Sequence, residues 1–203
     1  MGDTLQRGNV DPDRLIKDDL WSHATSDTLM RWSYLHRAID RGDRPKAVRL
    51  TRFFLDKGAS PNTRDSVLAS PLHIAARRDC LDSMRLLLHA GANVNVRDIA
   101  GNSPLYLACR NKNFQTIEML LKNKADVNHV NEMKNSALHM ACAQVCCKAV
   151  ELLVCAGANV SQKNFRGETP EQQLIRVFGK NDGGSEDPNI AKIKRCLRGC
   201  SSA

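Results

Sequence analysis

The sequence predicts an all-α solenoid, a stack of similar helix–turn–helix units sharing one continuous core. Three observations carry that prediction. Asp65, Asp98, Asn131 and Asn164 stand 33 residues apart, as do Leu72, Leu105 and Leu138. The runs Gly91-Ala92-Asn93-Val94, Ala125-Asp126-Val127 and Gly157-Ala158-Asn159-Val160 recur in the same phase. Aromatic residues make up only 4% of a chain that is 42% hydrophobic, which suits helices packed through Leu, Ala and Val. A fixed period of this size marks units too small to bury their own apolar faces, so neighbours must stack.

Each element follows from local chemistry. Residues 1–31 lack the repeat; Asp11 to Trp21 reads as a short helix whose Leu15, Leu20 and Trp21 cap the first unit. Unit one spans 32–64 and opens with Ser33-Tyr34-Leu35-His36. Its His36-to-Gly58 distance is 22 residues against 18 for His73 to Gly91, so about one extra helical turn is expected around Val48–Leu55. Units two to four, 65–97, 98–130 and 131–163, each pass from a polar turn to a helix opened by Ser-Pro-Leu-His, Ser-Pro-Leu-Tyr or Ser-Ala-Leu-His. Ser caps the free amides, and Pro at the first helical position forfeits no donor. A second helix follows, as in Ser83–Leu88, and Gly91 and Gly157 supply the left-handed residue that ends it. Lys124 takes that place in unit three, and Asp79, Lys112 and Val145 end the first helices where Gly is favoured. The last unit, 164–198, starts with Gly167-Glu168-Thr169-Pro170 and then departs. A polar insertion at 179–187 precedes a helix from Pro188 with Ile190, Ile193 and Leu197 inward, and residues 199–203 form a tail.

Charge and cysteine usage bound the function. The formal net charge of +8 is uneven: residues 1–31 hold six acids against four Lys and Arg, and 32–69 hold eight Lys and Arg against four acids. That balance favours an acidic partner surface over an acidic small molecule. No stretch interleaves aromatics with basic residues, so no nucleic-acid partner is expected. No apolar run approaches the roughly 18 residues needed to cross a membrane, and the start is too polar for a secretory signal. Among the eight cysteines, Cys109 and Cys142 share one small slot of successive units, where Ala76 sits one unit earlier. Reduced core thiols are the expected reading, and the compartment is the cytoplasm, the nucleus or both. Cys146 and Cys147 are the redox-sensitive alternative, and paired CxxC knuckles for zinc are absent. No phosphate-cradling Gly loop, nucleophile elbow or metal quartet is present, so neither an enzyme nor a cofactor is expected. Cys200 is fourth from the end with basic residues upstream, but Ser201 and Ser202 occupy positions that prenylation needs aliphatic. A solvated tail is the reading, with lipidation of Cys200 the one route to a membrane.

Ser70-Pro71-Leu72-His73-Ile74-Ala75-Ala76 and Leu86-Leu87-Leu88-His89-Ala90-Gly91-Ala92-Asn93-Val94-Asn95, with their downstream copies, resemble the ankyrin repeat family. The resemblance covers 32–178 and extends loosely to the C-terminal helix, giving about four repeats and a partial capping repeat. It implies β-hairpin fingers along one edge, and His36, His73 and His139 tying neighbouring loops together, with Tyr106 breaking that series. It further implies protein–protein recognition on the concave face. Carried over by phase, the binding positions are Val67, Ile99, Asn102, Met133 and Phe165 on the fingers, and Arg41, Arg77, Arg78, Arg110 and Asn111 on the helix ends. An apolar row beside a basic floor suits an acidic or amphipathic segment of a protein partner, since Arg grips carboxylates bidentately. Leu120, Asp126, Val127 and Asn128 match the pattern for asparagine hydroxylation in ankyrin repeats, which makes Asn128 a candidate modification site. The expected function is a monomeric, non-enzymatic adaptor or inhibitor. The alternatives are a substrate-recruiting arm of a ubiquitin ligase, faintly echoed by Cys196-Leu197-Arg198, and a scaffold tethered through Cys200.

Overall fold

Side chains that recur every 33 residues meet in space. The computed structural model describes residues 34–41, 43–178 and 187–199, and arranges them as five stacked helix pairs. The first helices are α1 (Tyr34–Arg41), α3 (Pro71–Arg78), α5 (Pro104–Arg110), α7 (Ala137–Ala143) and α9 (Pro170–Phe178). The second, outer helices are α2 (Arg44–Asp56), α4 (Leu81–His89), α6 (Phe114–Lys122), α8 (Cys147–Cys155) and α10 (Pro188–Gly199). The extra turn of the first unit lies in α2, which has 13 residues where α4, α6 and α8 have 9. The N-terminal cap, the insertion at 179–186 and Cys200 lie outside the described residues.

The core is a set of columns. Leu35, Leu72, Leu105 and Leu138 are all 0–1% exposed, and Met84, Ile117 and Val150 form a second column at 0%. Fully burying one such side chain stabilises by about 1.5–3 kcal/mol. Ala76, Cys109 and Cys142 share the predicted slot at 0% exposure, and burial pushes both thiols far above their ordinary range. Cys146 is buried too, and burial also raises the Cys147 thiol. In the last unit the Leu column ends at Glu171, which binds Arg198 of α10 at 2.6 Å, so a polar pair closes that end. Ile190, Ile193 and Leu197 turn inward from α10.

The turns repay the helix ends. Ser103 Oγ accepts from the Tyr106 amide, and Ser136 Oγ from that of His139. Gly58, Gly91 and Gly157 have φ of 84°, 83° and 85°, and Lys124 adopts the same left-handed conformation at 64°. Asp79, Lys112 and Val145 end α3, α5 and α7 at φ 56°, 58° and 49°. Each such non-glycine costs about 1–2 kcal/mol.

Candidate functional site

The fingers are built on one residue each. The Oδ1 of Asp65, Asp98, Asn131 and Asn164 accepts the amides two and four residues on, over 2.8–3.1 Å. The backbone amide of each donates to the carbonyl four residues on, at 2.9–3.0 Å. These bonds close a five-residue loop and consume its inward-facing groups. The fingers therefore differ from the β-hairpins implied above: among the described residues the only β-pairing is the isolated antiparallel bridge Val130–Ser136. Side-chain oxygens take the amides that a strand ladder would use.

Successive loops are joined by single backbone bonds. Ile99 N donates to Val67 O at 2.8 Å, Glu132 N to Ala100 O at 3.1 Å, and Phe165 N to Met133 O at 2.9 Å. Beneath them run the histidines. His73 Nδ1 accepts the Ser70 amide at 3.0 Å, leaving Nε2 protonated to donate to Asn102 O at 3.0 Å. His139 repeats this with Ser136 and Glu168, and His36 Nε2 bonds Ala69 O at 2.9 Å. Burial pushes all three imidazoles below their ordinary range, so they are neutral struts.

This scaffold presents an apolar row. Val67 is 49% exposed, Ile99 64%, Met133 53% and Phe165 72%, one on each of four consecutive fingers. Exposed cations border it. Arg64, Arg97 and Lys163 each precede a loop-closing residue, and Lys134 and Arg166 stand at the tips. Glu132 is the exposed acid among them, because Asp65 is buried, Asp98 is half-buried and both are bound within their loops.

The helix-end residues divide. Arg77 and Arg78 both bind Asp40, at 3.0 and 2.8 Å, so the basic floor is partly neutralised in unit two. Asp40 lies 37 residues before Arg77, one repeat plus the four-residue insertion, and is the equivalent position of unit one. Arg110 is exposed and makes no ion pair among the described residues. The Asn111 amide donates to Arg77 O at 2.8 Å, alongside Asn113 to Ala76 O at 2.8 Å, so both cap α3. Arg41 ends α1, and its side chain is outside the described atoms. Asn102 corrects the sequence reading. It is 9% exposed, its amide binds Asp98, and its Oδ1 accepts from Asn131 across the finger junction, so it is spent inside the scaffold. Ala69, the equivalent position of the preceding finger, is buried as well.

A second seam runs along the opposite turns and was not anticipated. Asn62, Asn95 and Asn128 stand 33 apart. Each takes an amide of the next unit on Oδ1, from Asn93, Asp126 and Asn159 at 2.8, 2.8 and 2.7 Å. Each also donates Nδ2 to the carbonyl of Gly91, Lys124 or Gly157. Asn128 is thus a rung of this seam, with an exposed side chain. On the outer face, a groove of about 560 Å³ lies between α4 and α6, lined by Leu81, Arg85, Leu88, Met119 and Lys122 among others. Arg85 is paired with Asp82, and Glu118 lies one turn before Lys122 on the same helix of the lining, so the groove offers little charge selection.

The model of the ankyrin repeats matches in copies spanning residues 13–98 and 72–164. The chain belongs to the ankyrin repeat family. Ankyrin repeats mediate protein–protein interaction and are typically non-enzymatic, which accords with a site made of surface side chains on a rigid stack. No curated protein matches the chain. No helix among the described residues is long and apolar enough to cross a membrane. No group of His, Cys, Asp and Glu among them is arranged to hold a metal ion.

Proposed function

We propose that this ankyrin stack is an adaptor or inhibitor that holds a segment of a protein partner along its fingertips. The observation that carries this reading is the row of four exposed apolar side chains on consecutive, mutually bonded fingers. The cations beside it set the partner's chemistry. An acidic segment with spaced hydrophobic residues meets apolar tips and a cationic border together, and complementary charge speeds encounter and fixes register. The relevant cations are Arg64, Arg97, Lys163, Lys134 and Arg166, with Arg110 extending the set. Arg77 and Arg78 contribute less, since Asp40 already occupies them. Free cysteines throughout the described residues support a reducing compartment, cytoplasm or nucleus. The Cys196-Leu197-Arg198 segment serves the stack itself, with Leu197 buried and Arg198 on Glu171.

The test is affinity capture from lysate with wild type and a variant carrying Val67→Ser, Ile99→Ser, Met133→Ser and Phe165→Ser. Exposed sites of this kind change stability by about 0.5 kcal/mol or less each, so the variant stays folded. A partner lost with this variant, yet retained by an outer-face control such as Lys122→Glu with Lys148→Glu, places function on the fingers. Equal capture by wild type and fingertip variant removes the proposal.

A further inference from the structure

The four apolar tips are not evenly placed along the row. Counted from the residue that closes each loop, Val67 and Met133 stand second, whereas Ile99 and Phe165 stand first. The bonds between fingers always join a first residue to the second residue of the preceding finger: Ile99 N donates to Val67 O, and Phe165 N to Met133 O. Each of these bonds sets two exposed apolar residues side by side, and the exposed Leu68 widens the first pair. The junction between the two pairs has another character. There Glu132 N donates to Ala100 O, and both residues are exposed. The Glu132 carboxylate lies over Gly101, its Oε1 3.2 Å from where a Cβ would stand. The tips thus form two apolar clamps separated by one small, acidic junction. Each unit advances the row by one bond within a finger and one between fingers, and hydrogen-bonded backbones lie about 4.8 Å apart, so the step is about 9.6 Å. Stacking of helices at about 8–10 Å agrees. The clamps, two units apart, are therefore separated by about 19 Å.

We infer that the fingers accept an extended partner segment with two apolar anchors six residues apart, a basic residue between them and acidic residues outside them. The inference rests on the fingertip site proposed above and narrows what that site takes. At about 3.3 Å per residue, six residues of extended chain cover about 20 Å, which is the clamp separation. Six is also an even number, so both anchors leave the chain on the same face. An evenly spaced row would need an anchor about every three residues, and an extended chain presents those on alternate faces; the pairing of the tips removes that conflict. A helix fits worse. About 19 Å of helix is about 13 residues, and 13 steps of 100° carry the second anchor about 140° from the first. Between the anchors, the residues at i+2 and i+4 face the fingers, where Glu132 takes a Lys or Arg of the partner. Outside, the exposed Arg64 and Arg97 accompany the first clamp, and Lys134, Lys163 and Arg166 the second, so the flanks of the segment are acidic.

The experiment selects phage-displayed random peptides of about 12 residues, long enough to span both clamps with flanking positions, on the full chain. The variant with Val67→Ser, Ile99→Ser, Met133→Ser and Phe165→Ser serves for counter-selection. Peptides enriched on wild type alone are expected to carry apolar residues at i and i+6, Lys or Arg at i+2 or i+4, and Asp or Glu outside. The synthetic form of such a peptide should bind about tenfold more weakly when either anchor is shifted by one residue, the loss expected from one apolar side chain turned to solvent. Repeating the selection on Glu132→Lys should exchange the central Lys or Arg for Asp or Glu. Wild-type-specific peptides with anchors at another spacing, or with a centre indifferent to Glu132→Lys, overturn the two-clamp geometry and leave the fingertip site standing. Absence of wild-type-specific peptides also overturns it. The lysate capture described above then decides the fingertip site by itself, since a partner lost with the four-serine variant keeps that site and equal capture removes it.

Discussion

Replacing Lys124 with glycine raises the stability of the stack. Lys124 ends α6 at φ 64°, where the equivalent residues Gly91 and Gly157 stand at 83° and 85°. A side chain in the left-handed region costs about 1–2 kcal/mol. Glycine returns about 0.4–1 kcal/mol of that through the entropy of the unfolded chain. The net gain is roughly 0.5–1 kcal/mol, or about 2–3 °C for a domain of this size. Little opposes it, since Lys124 is exposed, makes no ion pair among the described residues, and its glycine counterparts have no atom within 4 Å of a Cβ. Relaxing φ should also shorten the longest rung of the asparagine seam, Asn95 Nδ2 to Lys124 O at 3.5 Å, towards the 3.0 and 3.3 Å of its neighbours. Urea unfolding followed by circular dichroism, with wild type, Lys124→Gly and Lys124→Ala side by side, measures it. Alanine keeps the Cβ and gains nothing. If Gly and Ala shift the midpoint equally, or Gly lowers it, the backbone conformation is not the source of strain and the reasoning fails.

Three further outcomes follow from the seams and turns. His36, His73 and His139 have pKa values lowered by burial, so the unfolded chain takes up protons first as pH falls below about 6.5. Their contribution is complete above that pH and lost below it; urea midpoints measured from pH 7.5 to 5 should fall, and a flat profile contradicts neutral histidine struts. Gly101→Ala places a Cβ 2.9 Å from Glu132 N and 3.2 Å from Asn131 Cα, on backbone that cannot yield. It should cost more than Gly167→Ala, which meets no atom within 4 Å and loses about 1–2 kcal/mol to its left-handed φ alone. Asn128→Ala removes both bonds of one rung and should lower stability by about 1 kcal/mol, read by the same urea titration.

What the sequence revealed depended on how each residue does its work. The 33-residue phase located the Leu and Ala columns, the loop-closing Asp and Asn residues and the histidine struts, because these act identically in every unit. The asparagine seam was equally periodic at 62, 95 and 128, yet a polar residue in a turn reads as solvated until its partners are seen. Leu68 and Lys134 went unnoticed as left-handed residues at φ 56° and 55°, although Gly101 and Gly167 occupy the equivalent positions. Asn102 was placed on a binding surface from its finger position alone, whereas its bonds to Asp98 and Asn131 depend on chemistry peculiar to that junction. The pairing of Arg77 and Arg78 with Asp40 was not foreseen although phase makes Asp40 the equivalent of Arg77, because a phase shows which residues are equivalent and not which charges meet.

The asparagine seam also has an end. Its next position is Ser161, whose side chain is too short to continue the rung pattern, so the final helix pair is fastened to unit four without that seam, through packing, the finger junction, the His139–Glu168 strut, the Cys147–Asn189 contact and the Lys192–Glu151 bridge. A chain pulled from its two ends, or softened by mild denaturant, is therefore expected to peel from the C-terminal side before the middle gives way. Phe165, the most exposed of the fingertips, rides on that first unit to loosen. A ligand gripping all four tips would act as a strap across the weakest joint, so its grip and the integrity of the last unit would be read in one another.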